Sequence, residues 1–371
     1  MLEHSDILDK IVAKRAEYGM NNYLYVLRSL KGADPREVWE AFKKCHPDAE
    51  KERPRKTGIF NSYQGFPECH PAYSQWRLTD FSSDAILHNI ENKNYSSIAF
   101  LGCPALASCF RDNGEKNLVL DLDTSSLDLL KKRKRDVITY DVNNELPDEL
   151  RGKFDCAISD PPWYYEDIQR FVVRSSELVK EGGTIYFSIP GLLTKPSIIK
   201  ERLDFQKWLT KSSLVLENMS ALVEYEVPAF EYMAYFDIPA FSGEAWRTGD
   251  FVKLKKIENK KINIEKSPDK TKWLEYNLLE KRVFLREKED DGREAKLSTL
   301  HPDGTLVLNT VSKRNPLVEK VDVWSSRNAV LHVDEGYGHV KEILEELSQD
   351  YNAYYGSRCP NRELLKMLVE V

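Results

Sequence analysis

The chain has 371 residues, 41% of them hydrophobic, and its 54 lysines and arginines against 60 aspartates and glutamates give a net charge of −6. That is enough apolar material for two or three domains, and the acidic balance excludes a broadly basic nucleic-acid-binding surface while leaving room for a local basic patch. No apolar run approaches membrane-spanning length and the polar start MLEHSDILDK has no signal-peptide core, so a soluble, cytoplasmic protein with no membrane partner is expected.

Near the amino end Ile7, Leu8, Ile11 and Val12, then Tyr23, Leu24, Val26 and Leu27, recur close to helical periodicity over residues 5–30. Asp34 before Pro35 opens a second helix, with the acid as N-cap and proline at the first helical position. A helical segment and linker, 1–74, is expected to serve as a lid or docking element. Its stretch 51–74 reads as a loop, punctuated by Pro54, Gly58, Gly65, Pro67 and Pro71 and carrying Lys51, Arg53, Arg55 and Lys56. Cys45-His46-Pro47 and Cys69-His70-Pro71 repeat one triplet, but adjacent Cys and His are not zinc-finger spacing. Two turns with incidental cysteines, and no metal, are the expectation. The six cysteines, at 45, 69, 103, 109, 156 and 359, form no dense framework and read as thiols.

From 75 to 248 strand and helix signals alternate. A helix capped by Ser82 or Ser83 precedes an apolar strand at 96–101, followed by Gly102-Cys103-Pro104 and a helix through Phe110. A second strand, 117–120, ends in Asp121-Leu122-Asp123 with a helix over 125–132 behind it, and a third, 136–140, ends at Asp141. Residues 154–190 carry the clearest unit: the apolar Cys156-Ala157-Ile158, the loop Asp160-Pro161-Pro162-Trp163, an amphipathic helix, the turn Glu181-Gly182-Gly183 and a second apolar run at 184–189. A helix over 196–212 and closing strands at 213–224 and 231–238 complete the pattern. The alternation predicts an α/β fold with a doubly wound, mostly parallel sheet, whose working residues lie beyond the carboxyl ends of the strands.

At that edge a carboxylate and a carbonyl held in one plane, Asp160 and Pro161, can both accept hydrogen bonds from an NH2 group and turn its lone pair toward an electrophile. Pro161 and Pro162 stiffen the loop, and Trp163, with Tyr164 and Tyr165 after it, offers a flat face or an apolar wall. Aspartate and proline are also ordinary turn residues, so the tetrapeptide alone leaves both readings open. Asp121, 19 positions after Gly102, stands near the spacing at which a carboxylate reaches ribose hydroxyls, while Asp123 suits the helix cap. Cys103 has no base nearby in sequence and reads as a small packed residue.

Asp-Pro-Pro-Trp after a buried strand resembles the catalytic loop of class I S-adenosylmethionine-dependent amino-group methyltransferases, notably the N6-adenine enzymes and a group acting on elongation-factor lysines. Phe81-Ser82-Ser83-Asp84 is similar to their segment over the methionine end of the cofactor. YDVNNELPDELRGKFD, at 140–155, resembles the same family and also branched-polyamine synthases. The resemblance spans about 76–239 and implies a Rossmann-like methyltransferase domain at 75–248 with S-adenosyl-L-methionine as cofactor. It further implies catalytic roles for Asp160, Pro161, Pro162 and Trp163, substrate contacts at Tyr164 and Tyr165, and cofactor contacts at Phe81, Ser82, Gly102, Cys103, Pro104, Asp121 and Asp141. The first-strand loop departs from the family's glycine-rich pattern by having a lone glycine. The acceptor implied is an amino group, adenine N6 in nucleic acid or a protein lysine, and a homo-oligomer is compatible with it. The alternatives are aminopropyl transfer to a polyamine, favoured by an acidic cavity around Glu166, Asp167 and Glu224, and a non-catalytic binding subunit of the same fold.

From 249 the composition turns lysine-rich, with Lys253, Lys255, Lys256, Lys260 and Lys261, and apolar runs at 282–285, 297–300, 305–308, 320–324 and 329–333 precede an amphipathic helix at 339–347. A small α+β domain, 249–371, is expected. Its polar cluster Trp324-Ser325-Ser326-Arg327-Asn328 suggests no role by itself.

Overall fold

The computed structural model describes residues 3–51, 63, 65–111, 116–264, 271–351 and 360–370; Arg53, Arg55 and Lys56 of the basic run, and Cys359, lie outside them. It divides into two compact units, one of 1–66, 76–227 and 238–267, the other of 67–75, 228–237 and 268–371.

The first unit begins with α1 (His4–Glu17), α2 (Tyr23–Ser29) and α3 (Pro35–Cys45). The periodicity over 5–30 is two helices, because Gly19 at φ +79° ends the first. Asp34 caps α3 as expected, accepting from the Arg36 and Glu37 amides. Tyr23 packs edge-on against Trp39 and Phe42, at 5.1 and 5.8 Å, to form the local core.

Next come α4 (Asp80–Glu91), β1 (Ser97–Leu101), α5 (Pro104–Cys109), β2 (Lys116–Asp121), α6 (Thr124–Lys132), β3 (Asp136–Thr139), β4 (Phe154–Ser159), α7 (Tyr165–Leu178), β5 (Val179–Pro190), α8 (Ile198–Leu209), β6 (Leu214–Glu224), α9 (Ala229–Ala234) and β7 (Thr248–Lys256). Thr79, rather than Ser82 or Ser83, caps α4 by accepting from the Ser82 amide; both serines are buried in the first turn. Gly182 and Gly183 form a bulge between β5's pairings at Val179 and Thr184, not a turn before the strand.

Among the described residues these strands form a seven-stranded sheet ordered β3-β2-β1-β4-β5-β7-β6. β1 to β5 run parallel, and β7 lies antiparallel to both β5 and β6. One face is covered by Ile86, Leu106 and Leu127 from α4, α5 and α6, the other by Phe171, Val172 and Phe205 from α7 and α8.

The closing strand is therefore not 231–238, whose first half, 231–234, is the end of the helix α9, in the second unit. It is β7, which crosses position 248, where a domain boundary was expected. The lysines there had disguised a period-two strand: Val252, Leu254 and Lys256 face inward, while Lys253 turns out to pair with Glu217 at 2.7 Å. Lys256 is buried because its Nζ donates to the Ser176 and Val179 carbonyls at the end of α7.

The second unit holds β8 (Trp273–Leu278), β9 (Lys281–Arg286), β10 (Lys296–Ser298), β11 (Val323–Ser325), β12 (Val330–Glu335), α10 (Tyr337–Gln349) and α11 (Pro360–Glu370), with an antiparallel sheet ordered β10-β12-β11-β9-β8. The run at 305–308 makes one isolated bridge, Val307 to Ala329, instead of a strand. The Trp324-to-Asn328 cluster is the end of β11 and the turn toward β12, with Asn328 at φ +66°. Its Ser326 hydroxyl and Arg327 guanidinium donate to Glu68 at 2.6 and 2.8 Å. Arg282, 1% exposed, donates to both carboxylate oxygens of Glu275 and to the Glu68 carbonyl. His70 stacks on Phe284 at 3.6 Å and meets the Trp324 carbonyl through Nε2 at 2.9 Å. Among the described residues no helix is long and apolar enough to cross a membrane.

Candidate functional site

Asp160 follows the last residue of β4 at the carboxyl edge of the sheet. Its Oδ1 accepts the Ser188 hydroxyl at 2.6 Å and the Tyr225 hydroxyl at 2.5 Å, and Tyr225 also reaches the Ser188 oxygen at 2.9 Å. Ser188 lies near the end of β5 and Tyr225 just past β6, so three strand ends converge on one oxygen. Among the described residues Oδ2 takes no hydrogen bond, and neither does the Pro161 carbonyl. Two acceptors thus remain open in adjacent residues. Burial pushes the Asp160 carboxyl up to about 6, against the Ser188 and Tyr225 donors and the charge of Arg247, which favour the ionised form.

Trp163 is 7% exposed and fixed on several sides. Its Nε1 donates to Ser188 at 3.2 Å, its ring meets Tyr225 edge-on at 5.2 Å, and its carbonyl accepts from Lys195 Nζ at 2.9 Å. A Cβ on Gly249 would stand 2.6 Å from the indole and 2.4 Å from the Ile189 carbonyl, so the start of β7 has to be glycine for this ring to fit. The Arg247 guanidinium covers Trp163 at 4.4 Å and Trp76 at 4.1 Å. Trp163 is therefore a wall of the site, with one face already taken by a cation.

On the other side of β4, Asp121 ends β2, its Oδ1 accepting from the Asp123 amide at 2.7 Å. Asp123 caps α6 and takes the Ser126 hydroxyl at 2.6 Å. Gly102 turns at φ +68°, and a Cβ there would stand 2.5 Å from the Phe171 ring; helix packing as well as backbone conformation requires the glycine. Cys103 is buried, its Sγ 3.5 Å from the Ile158 carbonyl. Burial raises its thiol well above the usual value, and Asp160 and Asp121 both add to the shift, which puts the loop between two carboxylates. Pro104 is the first residue of α5. Asp141, two residues past β3, accepts from the Asn143 amide at 2.9 Å. Phe81 is 71% exposed on α4, whereas Ser82 is buried and accepts from the Glu224 amide at 2.9 Å.

Tyr164 caps α7 with Lys195 Nζ 5.7 Å over its ring, and the Tyr165 hydroxyl accepts from Gln169 at 3.0 Å. Of the acids that an acidic cavity would need, Asp167 pairs with Arg170, Glu224 lies 3.5 Å from Arg28, and Glu166 is exposed. Cys45 and Cys69 are in no disulfide, and no group of three or more His, Cys, Asp or Glu able to hold a metal occurs among the described residues.

Ser188, Tyr225, Arg247, Gly249 and Trp76 are site residues that sequence reasoning passed over. Ser188 offered a weak signal as a hydroxyl near the carboxyl end of an otherwise apolar strand. Arg247 offered none.

The strand order, with acids ending β2 and following β4 and the last strand antiparallel, defines a Rossmann-like fold of the class I methyltransferase type. Residues 98–272 match the family model described as the branched-chain polyamine synthase A C-terminal domain. An uncharacterized protein of Methanocaldococcus jannaschii is 28% identical over 150 residues, 39% of this chain; the chain spans about a third of the length of that curated relative, 35%. A mutein of the branched-chain polyamine synthase from Thermus thermophilus, solved with N4-aminopropylspermidine and 5′-methylthioadenosine, is similar with a TM-score of 0.49 and 16% identity, over 71% of this chain and 96% of its own. The branched-chain polyamine synthase of Thermus thermophilus, with the same ligands, gives 0.41 and 19% over 62% and 67%.

Proposed function

We propose that this chain transfers a carbon group from an S-adenosylmethionine-type donor to an amino nitrogen, with methyl as the group. The observation that carries the reading is the open Oδ2 of Asp160, held by two hydroxyls on Oδ1 and followed by the unoccupied Pro161 carbonyl. Two fixed acceptors can receive both hydrogens of an NH2 group and aim its lone pair, so positioning is done before the reaction. Asp160, with a carboxyl near 6, is mostly ionised at neutral pH and can receive the proton the nitrogen releases as its new bond forms. Trp163 and Tyr225, both buried, pack edge-on beside the residues that hold Asp160.

The residues on the other side of β4 fit such a donor. Asp121 stands at the end of β2, where a carboxylate would meet ribose hydroxyls, and the turn at Gly102 and Cys103 lies between Asp121 and Asp160. The donor would supply an electrophilic carbon on a sulfonium. Phe81 and Asp141 are proposed to line its two ends.

Aminopropyl transfer is the second reading, supported by the family match over 98–272. Methyl transfer is preferred because the acids that would attract a polyamine are paired or exposed, while an arginine stands over Trp163. The test is donor use: the purified chain is given labelled S-adenosylmethionine or its decarboxylated form with amine acceptors. Label moving only from S-adenosylmethionine supports the methyl reading; label moving only from the decarboxylated donor replaces it with the second. No binding of either donor removes both.

A further inference from the structure

The Arg247 guanidinium has no hydrogen-bond or ion-pair partner among the described residues, although it is flanked by Trp76 and Trp163. Its backbone carbonyl accepts from the Tyr225 amide at 3.0 Å, which ties its position to the residue that holds Asp160. With both indoles beside it, the guanidinium keeps five planar N–H donors, suited to an oxyanion, that take no protein partner among the described residues. The stack also removes most of the side chain's freedom, so little entropy remains to be lost on binding.

The sheet order says which molecule would present the anion. Asp121 and the Gly102 turn, the donor residues, belong to β2 and β1 on one side of β4. Ser188 belongs to β5 and Arg247 directly precedes β7 on the other, and Gly249 pairs with Pro190 at the carboxyl end of β5. Arg247 therefore stands at the acceptor side of Asp160.

We infer that Arg247 is a specificity-determining residue that binds an oxyanion of the acceptor, phosphate or carboxylate, while the acceptor's amino group lies at Asp160. This rests on the amine-transfer reading above and narrows it: the acceptor is an amine that also carries an anion, and a polycationic polyamine is disfavoured by the same guanidinium.

The test is calorimetry on the full chain at low salt, with and without S-adenosylhomocysteine, using adenosine 5′-monophosphate, adenosine, L-lysine and spermidine as probes. Wild type should bind adenosine 5′-monophosphate or lysine at least about tenfold better than adenosine or spermidine, the scale of one charge-assisted hydrogen-bonded contact. Which of the two binds separates phosphate from carboxylate. Arg247→Met, which keeps an apolar stem between the indoles, should erase that advantage, and Arg247→Lys should restore part of it; a thermal melt of each variant monitors folding. An advantage that survives Arg247→Met, no advantage in wild type, or tighter binding of spermidine overturns the inference. Failure to bind S-adenosylhomocysteine would count against the transfer reading alone, because the anion preference is read without it as well.

Discussion

Asp160 is ionised only above about pH 6, and both roles proposed for it, orienting the amine and receiving its proton, need the carboxylate. Transfer should therefore rise with pH through an acid limb near 6. Tyr225 and Ser188 favour the ionised form by donating to it, so removing one donor raises the carboxyl further. Tyr225→Phe should move the limb to higher pH without abolishing transfer, measured as kcat/KM against pH; a limb that stays in place would remove Asp160 as the titrating group. Of the candidate site, the contiguous half was legible, since Asp160, Pro161, Pro162 and Trp163 sit together behind an apolar strand. The other half was not. Ser188, Tyr225 and Arg247 arrive from three separate chain segments, and only the strand order brings them to one oxygen.

Elements that reported their own periodicity were readable. The strands β1, β2 and β4, whose apolar runs are bounded by glycine or acid, and α3, with Asp34 and Pro35 at its start, lie where sequence placed them. β7 was missed because its inward residue Lys256 owes its burial to carbonyls at the end of α7, a long-range partner that local pattern does not show. The same holds for residues 67–75, whose composition is that of a loop. They carry the buried His70, held neutral well below its usual value by burial and by the nearby Arg282. Because the unfolded chain takes up a proton at about 6.5 and the folded His70 does not, its contribution to stability is present above that pH and lost as pH falls below it. Hydrogen exchange should show β9 and β11 opening more readily at pH 5 than at pH 7.5, after correction for intrinsic rates. His70→Gln should weaken both strands at pH 7.5 and remove that extra pH dependence. Equal protection of the wild-type strands at both pH values would contradict it.

For the whole molecule, composition bounded the class and alternation gave the sheet, while the division into units could not be read off composition. The lysine-rich stretch after 248 looks like a new domain, yet β7 completes the first unit's sheet and supplies the glycine that admits Trp163. Three parts of the chain, around 76, 160–190 and 225–249, thus build the one candidate site at the carboxyl edge. Asp160 is proposed to work on the acceptor and not on the fold. Asp160→Asn keeps the shape and the Oδ1 acceptor, and transfer from labelled S-adenosylmethionine should fall by roughly two orders of magnitude or more. Since the ionised carboxylate is disfavoured by burial, the variant's melting temperature at neutral pH should hold or rise. Near-normal transfer by a well-folded Asp160→Asn protein would remove Asp160 from that role.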